Sequence, residues 1–118
     1  MIVITIISIL AVLAVAGYRQ TIVHAREAAL HNDLDVMRHA IQAYTRDRNA
    51  PPTSLQDLVD YKYIGRIPED PITRQADWVT SDCEALDSSD QTTLNGICDV
   101  HSASNDTSPF ENRPYSDF

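Results

Sequence analysis

The sequence predicts an α+β chain with one long helix, over about residues 1–49, and a small head on that helix's far half. Three observations point there. Residues 1–17 carry no charge. From Ile22 the apolar residues fall at helical spacing until Pro51-Pro52 stops the pattern. Beyond the prolines, two short β-branched segments follow, each holding one cysteine. The chain divides accordingly into a hydrophobic helix (1–17), an amphipathic continuation (18–50) and a head (51–118).

The opening MIVITIISILAVLAVAG spans roughly 25 Å as a helix, a little short of a bilayer's hydrocarbon core. Three roles fit it: a removable signal, a membrane anchor, or a helix buried against copies of itself. A signal should begin with basic residues, and none is present, although AVLAVAGY offers a small-residue cleavage pattern. No proline interrupts the helical pattern before Pro51. Ile2, Val3, Ile4, Ile6, Ile7, Ile9, Val12 and Val15 are β-branched, which a water-exposed helix uses sparingly. In lipid or in a helical bundle that preference is overridden, because backbone groups must bond locally. Thr5 and Ser8 can bond back to helix carbonyls or to a neighbouring helix.

Leu30, Leu34, Met37, Ile41 and Tyr44 follow at steps of four, three, four and three. They form one apolar stripe, expected to dock the head. Arg26, Glu27, Asp33, Asp35, Arg38 and Arg46 are assigned to the other faces, with Asp35 and His39 close enough to interact. Arg46 and Arg48 suit the negative end of the helix dipole, Asn49 can cap, and Pro51-Pro52 forbids continuation.

In the head, TSLQDLV reads as a short helix with Ser54 as N-cap and Asp57 completing a capping box. Pro68 and Pro71 make the stretch up to Trp78 a fixed, extended loop. DWVTSDC and NGICDVHS read as short strands.

Charge narrows the function. Between Tyr18 and Ala50 five arginines face four acids, whereas from Pro51 onward four bases face thirteen acids, a net of 4 − 13 = −9. An acidic surface repels phosphate, so nucleic-acid binding is not expected. Cys83 and Cys98 fit no zinc pattern. They are either two buried thiols or a disulfide, and the export-like opening favours the disulfide. Such a bond contributes roughly 3 kcal/mol in the chain-entropy model. His24, His31, His39 and His101 form no metalloprotease or haem motif. His24 and His31 are seven apart on one helix face, as a metal pair or as ordinary interface histidines. No nucleophile elbow or phosphate loop occurs, so catalysis is not expected.

Three segments resemble the type IV pilin superfamily, and within it the major pseudopilin of type II secretion. MIVITIISILAVLAVAGYRQ is similar to the pilin helix. SLQDLVDYKYIGRIPEDPIT, closing on Trp78, is similar to the pseudopilin loop between helix and sheet. GICDVHSASND and the ending PYSDF are similar to the family's final strands and terminal aromatic. The YIGRIPEDPIT stretch is the specific part.

The resemblance implies a lollipop, with a small antiparallel sheet on the second half of the helix, and a non-catalytic structural subunit. It implies insertion in the inner membrane, trimming by a prepilin peptidase, and extraction by an assembly machinery into a helical homopolymer. That polymer is either a periplasmic pseudopilus or a surface filament. Ile2, Ile6, Ile9, Leu10, Leu13, Ala16 and Gly17 are then expected in its core. The competing reading is a membrane-anchored periplasmic binding domain that does not polymerise.

The family's basic leader, glycine cleavage site and Phe-Thr-Leu-Ile-Glu-Leu-like start are not in this sequence. The chain is therefore expected to open inside the family's helix, and its registration glutamate is assigned to no residue here. Ala16 stands where pilins often carry proline, leaving Gly17 to favour local melting by about 1 kcal/mol relative to alanine. The major pseudopilin's C-terminal loop also resembles a calcium module. Asp106 matches one acidic position, while the second falls near Arg113-Pro114, which offers no carboxylate. Calcium takes about 6–8 oxygens, for which Ser104, Asn105, Glu111 and backbone carbonyls are the other candidates. The alternative is a solvated polar loop in which the disulfide replaces the metal as the staple.

Overall fold

The computed structural model describes residues 1–83 and 95–118 and, within its helices and strands, every side chain but that of Ala16. The molecule is long and thin, 79 × 29 × 18 Å. Helix α1 (Ile2–Arg48) sets the length. It ends on Asn49, whose φ of 55° is the left-handed conformation that closes many helices. Arg46 and Arg48 occupy the last turn. Helix α2 (Leu55–Asp60) starts with the expected capping box. The Asp57 backbone N–H donates to the Ser54 hydroxyl at 3.3 Å, and the Asp57 carboxylate accepts from Ser54 N–H at 3.0 Å. That carboxylate also takes the Thr53 hydroxyl at 2.7 Å, and these bonds, Thr53's first, hold it below the usual aspartate range.

Strands β1 (Val79–Asp82) and β2 (Ile97–His101) form a two-stranded antiparallel sheet. Val79 pairs with His101 and Ser81 with Asp99, but Asp82 pairs with Ile97. Cys98 is thereby the extra residue of a bulge. It joins Cys83 across a Cα–Cα distance of 4.9 Å. A 3₁₀ turn, Tyr115–Asp117, closes the chain onto β2.

One core holds the head to α1. Leu30, Leu34, Met37, Ile41 and Tyr44 are all buried, as the stripe predicts. They meet Leu58, Ile64, Trp78, Ile97, Val100, Tyr115 and Phe118. Two assignments to the polar faces change. Glu27 is buried, because it lies three residues before Leu30 and continues the stripe by one step. Arg38 is half-buried against β2. Asp35 and His39 do meet, with His39 Nδ1 2.7 Å from the Asp35 backbone oxygen.

Pro51-Pro52 does more than stop the helix. Both prolines are buried, and Pro52 O accepts from Ile97 N–H at 2.8 Å, extending the pairing of β2. Gly96 lies beneath them. A Cβ there would sit 2.5 Å from Pro51 Cγ and 3.0 Å from Pro52 O, so only glycine fits.

Candidate functional site

Among the described residues, the apolar half of α1 is bare. Every side chain from Met1 to Val15 is exposed, including Ile2, Ile6, Ile9, Leu10 and Leu13. Leu10 and Leu13 expose 61% and 69% of their surface, values that water alone does not favour for leucine. Gly17 is exposed with open space around it, and the Ala16 side chain lies outside the described residues. The segment is long and apolar enough to cross a membrane. Its few hydroxyls are already satisfied within the helix. Thr5 donates to Met1 O at 3.1 Å, Ser8 to Ile4 O at 2.8 Å and Thr21 to Gly17 O at 3.0 Å. Back-bonded hydroxyls need no water, so this surface is fit for lipid or for other helices.

Above Gln20 the same helix becomes the spine of the head, and the last residues of the chain are locked to it. Arg38 Nε donates to Asp99 Oδ1 at 2.7 Å, and Arg38 Nη2 donates to Val100 O at 3.1 Å and Phe118 O at 2.7 Å. Burial works against the Asp99 charge, but the Arg38 bond, the Val100 N–H and nearby His101 outweigh it. Its carboxyl is held below the usual range. The Phe118 ring stacks on His31 at 4.7 Å, with the Arg113 guanidinium 4.4 Å from its centre. His31 Nε2 lies 3.1 Å from Glu111, which also takes Arg113 Nε at 2.7 Å. Lower down, His24 meets Phe110 edge-on at 5.4 Å. His24 and His31 do share a face, and on it each packs against an aromatic ring of the C-terminal segment.

The YIGRIPEDPIT stretch is pinned by Asp70, which is fully buried. Its Oδ1 accepts from Ile72 N–H at 2.7 Å in a turn that Asp-Pro favours. Its Oδ2 accepts the Ser102 hydroxyl. Ser102 in turn accepts Ser104 N–H at 3.1 Å, and Ser104 accepts Asp106 N–H at 3.2 Å. Farther on, Ser108 accepts the N–H groups of Phe110 and Glu111. These buried serines fix the loop that the family resemblance assigns to calcium. The donor set does not fit that ion. Asp106 is exposed, Glu111 is engaged by Arg113 and His31, and no group of three metal-ligating side chains forms among the described residues. Serine was legible in the sequence only as loop composition. That Ser102 and Ser104 would be buried on a chain of bonds leading from Asp70 was not.

At the other end of the head, Tyr44 packs edge-on against Tyr61 and Tyr63, and Arg48 lies 3.5 Å over the Tyr61 ring. Tyr63 donates to Asp47 at 3.0 Å. These contacts tie the end of α1 to the turn after α2.

No family model, curated protein or solved structure matches the chain. The architecture is pilin-like in shape: a long N-terminal helix, apolar and bare at one end, with a small disulfide-bonded sheet on the other.

Proposed function

We propose that this chain is a structural subunit of a helical filament, either a type II secretion pseudopilus or a pilus-like surface fibre. It polymerises through α1. The observation that carries the reading is the division of one unbroken helix: its side chains from Met1 to Val15 are exposed and uncharged, and from Glu27 onward one face of it is buried under the head. An uncharged helical surface with satisfied hydroxyls can face lipid first and neighbouring helices later, without any change of fold. The disulfide and the apolar helix are both features of a membrane-anchored, extracytoplasmic protein. In this reading the chain catalyses nothing. Its partners are the inner membrane, a prepilin peptidase, an assembly machinery and further copies of itself.

Electron microscopy of material sheared from cells expressing the chain, and of the purified protein after detergent removal, tests the proposal. Regular helical fibres containing the chain are expected. A monodisperse monomer in detergent that never forms fibres would instead favour a membrane-anchored binding head.

A further inference from the structure

Phe118 is held to the head through one carboxylate. Asp99 Oδ1 accepts from Arg38 Nε at 2.7 Å and from the Val100 N–H at 2.8 Å, and Asp99 Oδ2 lies 3.4 Å from His101 Nε2. Arg38 and His101 meet again at the main-chain oxygen of Phe118. Arg38 Nη2 donates to it at 2.7 Å, and His101 Nδ1 lies 3.1 Å from it. Asp99, Arg38, Phe118 O and His101 thus close a circuit in which Asp99 is the only side-chain anion. The Arg38 and His101 side chains are 30% and 28% exposed, so solvent screens them only in part. A neutral imidazole has one N–H to give and faces two acceptors here, whereas a protonated one serves both.

We propose that this circuit is an acid-operated clasp: the turn Tyr115–Asp117, with Phe118, leaves α1 and β2 when Asp99 takes up a proton, while the rest of the head stays folded. Its first ground is charge. With Asp99 ionised, Arg38 and a protonated His101 share an anion. With Asp99 neutral, two cations converge on one main-chain oxygen and repel each other. Imidazole takes up its proton before a carboxylate does as pH falls, so the second cation is in place when Asp99 is neutralised. Burial opposes the Asp99 charge, but Arg38, the Val100 N–H and His101 outweigh it and keep the carboxyl below its ordinary range. The clasp is therefore complete above about pH 4 and is lost as pH falls through the lower, folded value. The second ground is independence. Tyr115 N–H donates to Asp106 O, Asp117 N–H to Pro114 O and Phe118 N–H to Tyr115 O, so these backbone bonds stay within the C-terminal segment. Such a segment can open without disturbing the sheet. The other titratable groups around it work in the same direction or are neutral to it. His31 stacks on the Phe118 ring and Arg113 lies over it, and Glu111, which pairs with both, also loses its charge in acid. Glu27 faces Tyr115, and the exposed Asp117 gives its main-chain oxygen to Arg113. An α-carboxylate at Phe118 is neutralised over the same acid range. Across the sheet, β1 sets Val79 and Ser81 opposite His101 and Asp99, and neither carries charge.

The test uses the full chain in detergent. Hydrogen exchange, read by mass spectrometry on the C-terminal peptide and expressed as protection, follows the terminal turn. Emission of Trp78, the single tryptophan, buried and bonded to Pro68 O, follows the rest of the head. In the unsubstituted chain, protection of the terminal turn should hold from neutrality to about pH 4. Below that it should fall by about tenfold per pH unit for each proton taken up, with Trp78 emission unchanged. Asp99→Asn removes the charge and keeps an acceptor for Arg38. In that variant the loss should move up to the imidazole range, about pH 6.5, where His101 becomes the second cation. Adding His101→Asn, whose amide can still donate to Phe118 O, should restore protection through that range. Trp78 emission that changes together with protection in the unsubstituted chain would overturn the clasp, because the whole head would then be the unit that yields. Protection in Asp99→Asn that does not depend on pH, whether high or low, would also overturn it, since Asp99 would then act through shape or not at all. A double variant that loses protection just as Asp99→Asn does would remove His101 from the device and sink the proposal with it.

Discussion

The Tyr115 hydroxyl donates a 2.7 Å hydrogen bond to the Glu27 carboxylate, joining residues 88 apart in sequence, and both side chains are buried. A buried carboxylate is tolerated only while a donor satisfies it. This bond is what allows an acid to continue the apolar stripe of α1, and it fixes the terminal turn against the helix. Tyr115→Phe keeps the ring and orphans the carboxylate. The expected cost is about 1–3 kcal/mol, read from urea unfolding of the head in detergent. Glu27→Gln, whose amide oxygen still accepts the hydroxyl, should cost less. Equal losses in the two variants would show that the hydrogen bond is not what holds this contact.

The same pair sets an alkaline limit. Burial first, and then the Glu27 carboxylate, push the Tyr115 hydroxyl up to about 12. An unfolded tyrosine releases its proton near 10. Between those values the unfolded chain binds fewer protons than the folded one, so stability falls as pH rises. Below about pH 10 the contribution of Tyr115 is fully present; it is lost as pH climbs through the folded value. The difference in melting temperature between the unsubstituted chain and Tyr115→Phe should therefore be constant from neutrality to about pH 10 and shrink beyond it. A difference that grows in the alkaline range would reverse the assignment.

Gly96 makes a sharper test of packing. Its added methyl would lie 2.5 and 2.8 Å from the Pro51 ring and 3.0 Å from Pro52 O. Prolines are rigid, so β2 would have to move, loosening the Ile97–Pro52 bond. Gly96→Ala should destabilise the head by about 1–3 kcal/mol. Gly65→Ala is the control. Nothing lies within 4 Å of a Cβ at Gly65, and its φ is not positive. That change should be neutral or stabilising, since alanine restricts the unfolded chain. Thermal melts of the two variants decide the matter, and matching losses would mean the proline contact is not limiting.

How much of this was legible beforehand follows from what each feature depends on. The long helix, its stop, the capping box and the two strands are local, and spacing or residue type announces them. The docking stripe was legible because a 3–4–3 rhythm needs no knowledge of the partner. Glu27 was missed because chemistry, not spacing, assigned it to the surface; at three residues before Leu30 its position already lay on the buried face. The Arg38 link to Asp99 and Phe118, and Asp70's bond to Ser102, join residues 32 to 80 apart. No periodicity encodes which distant acceptor a side chain will find. The prolines after α1 announced a stop, but their packing on Gly96 required the return of β2.

The disulfide carries a chemical prediction. Cys83 and Cys98 sit at the bulge where the sheet pairing slips, and Cys83 N–H also donates to Gly96 O at 2.9 Å. Peptide mapping of unreduced protein should recover the two cysteines in one linked pair. Replacing both with serine should cost roughly 3 kcal/mol. Two thiols that alkylate in native, unreduced protein would contradict the bond.

The bare half of α1 separates an anchor from a packed core. An anchor depends on total hydrophobicity, whereas packed helices interdigitate at near-crystalline density and so depend on shape. Leu10 and Leu13 are both exposed in the single chain and lie one turn apart, in the middle of the segment. Leu10→Trp keeps the segment apolar and touches no part of the head, so membrane insertion and the fold of the head should survive. In a filament the larger ring must fit between neighbouring helices, and overpacking costs about 1–3 kcal/mol at each site. That cost recurs at every subunit, so fibres should disappear while the membrane-bound chain accumulates. Cell fractionation with microscopy of the same cells measures both. Fibres of normal number and length would show that residue 10 is not closely packed against a neighbour. Val12→Leu, a smaller change in the same segment, should retain fibres, which ties the loss to the size of the side chain at position 10 and not to any disturbance of the helix.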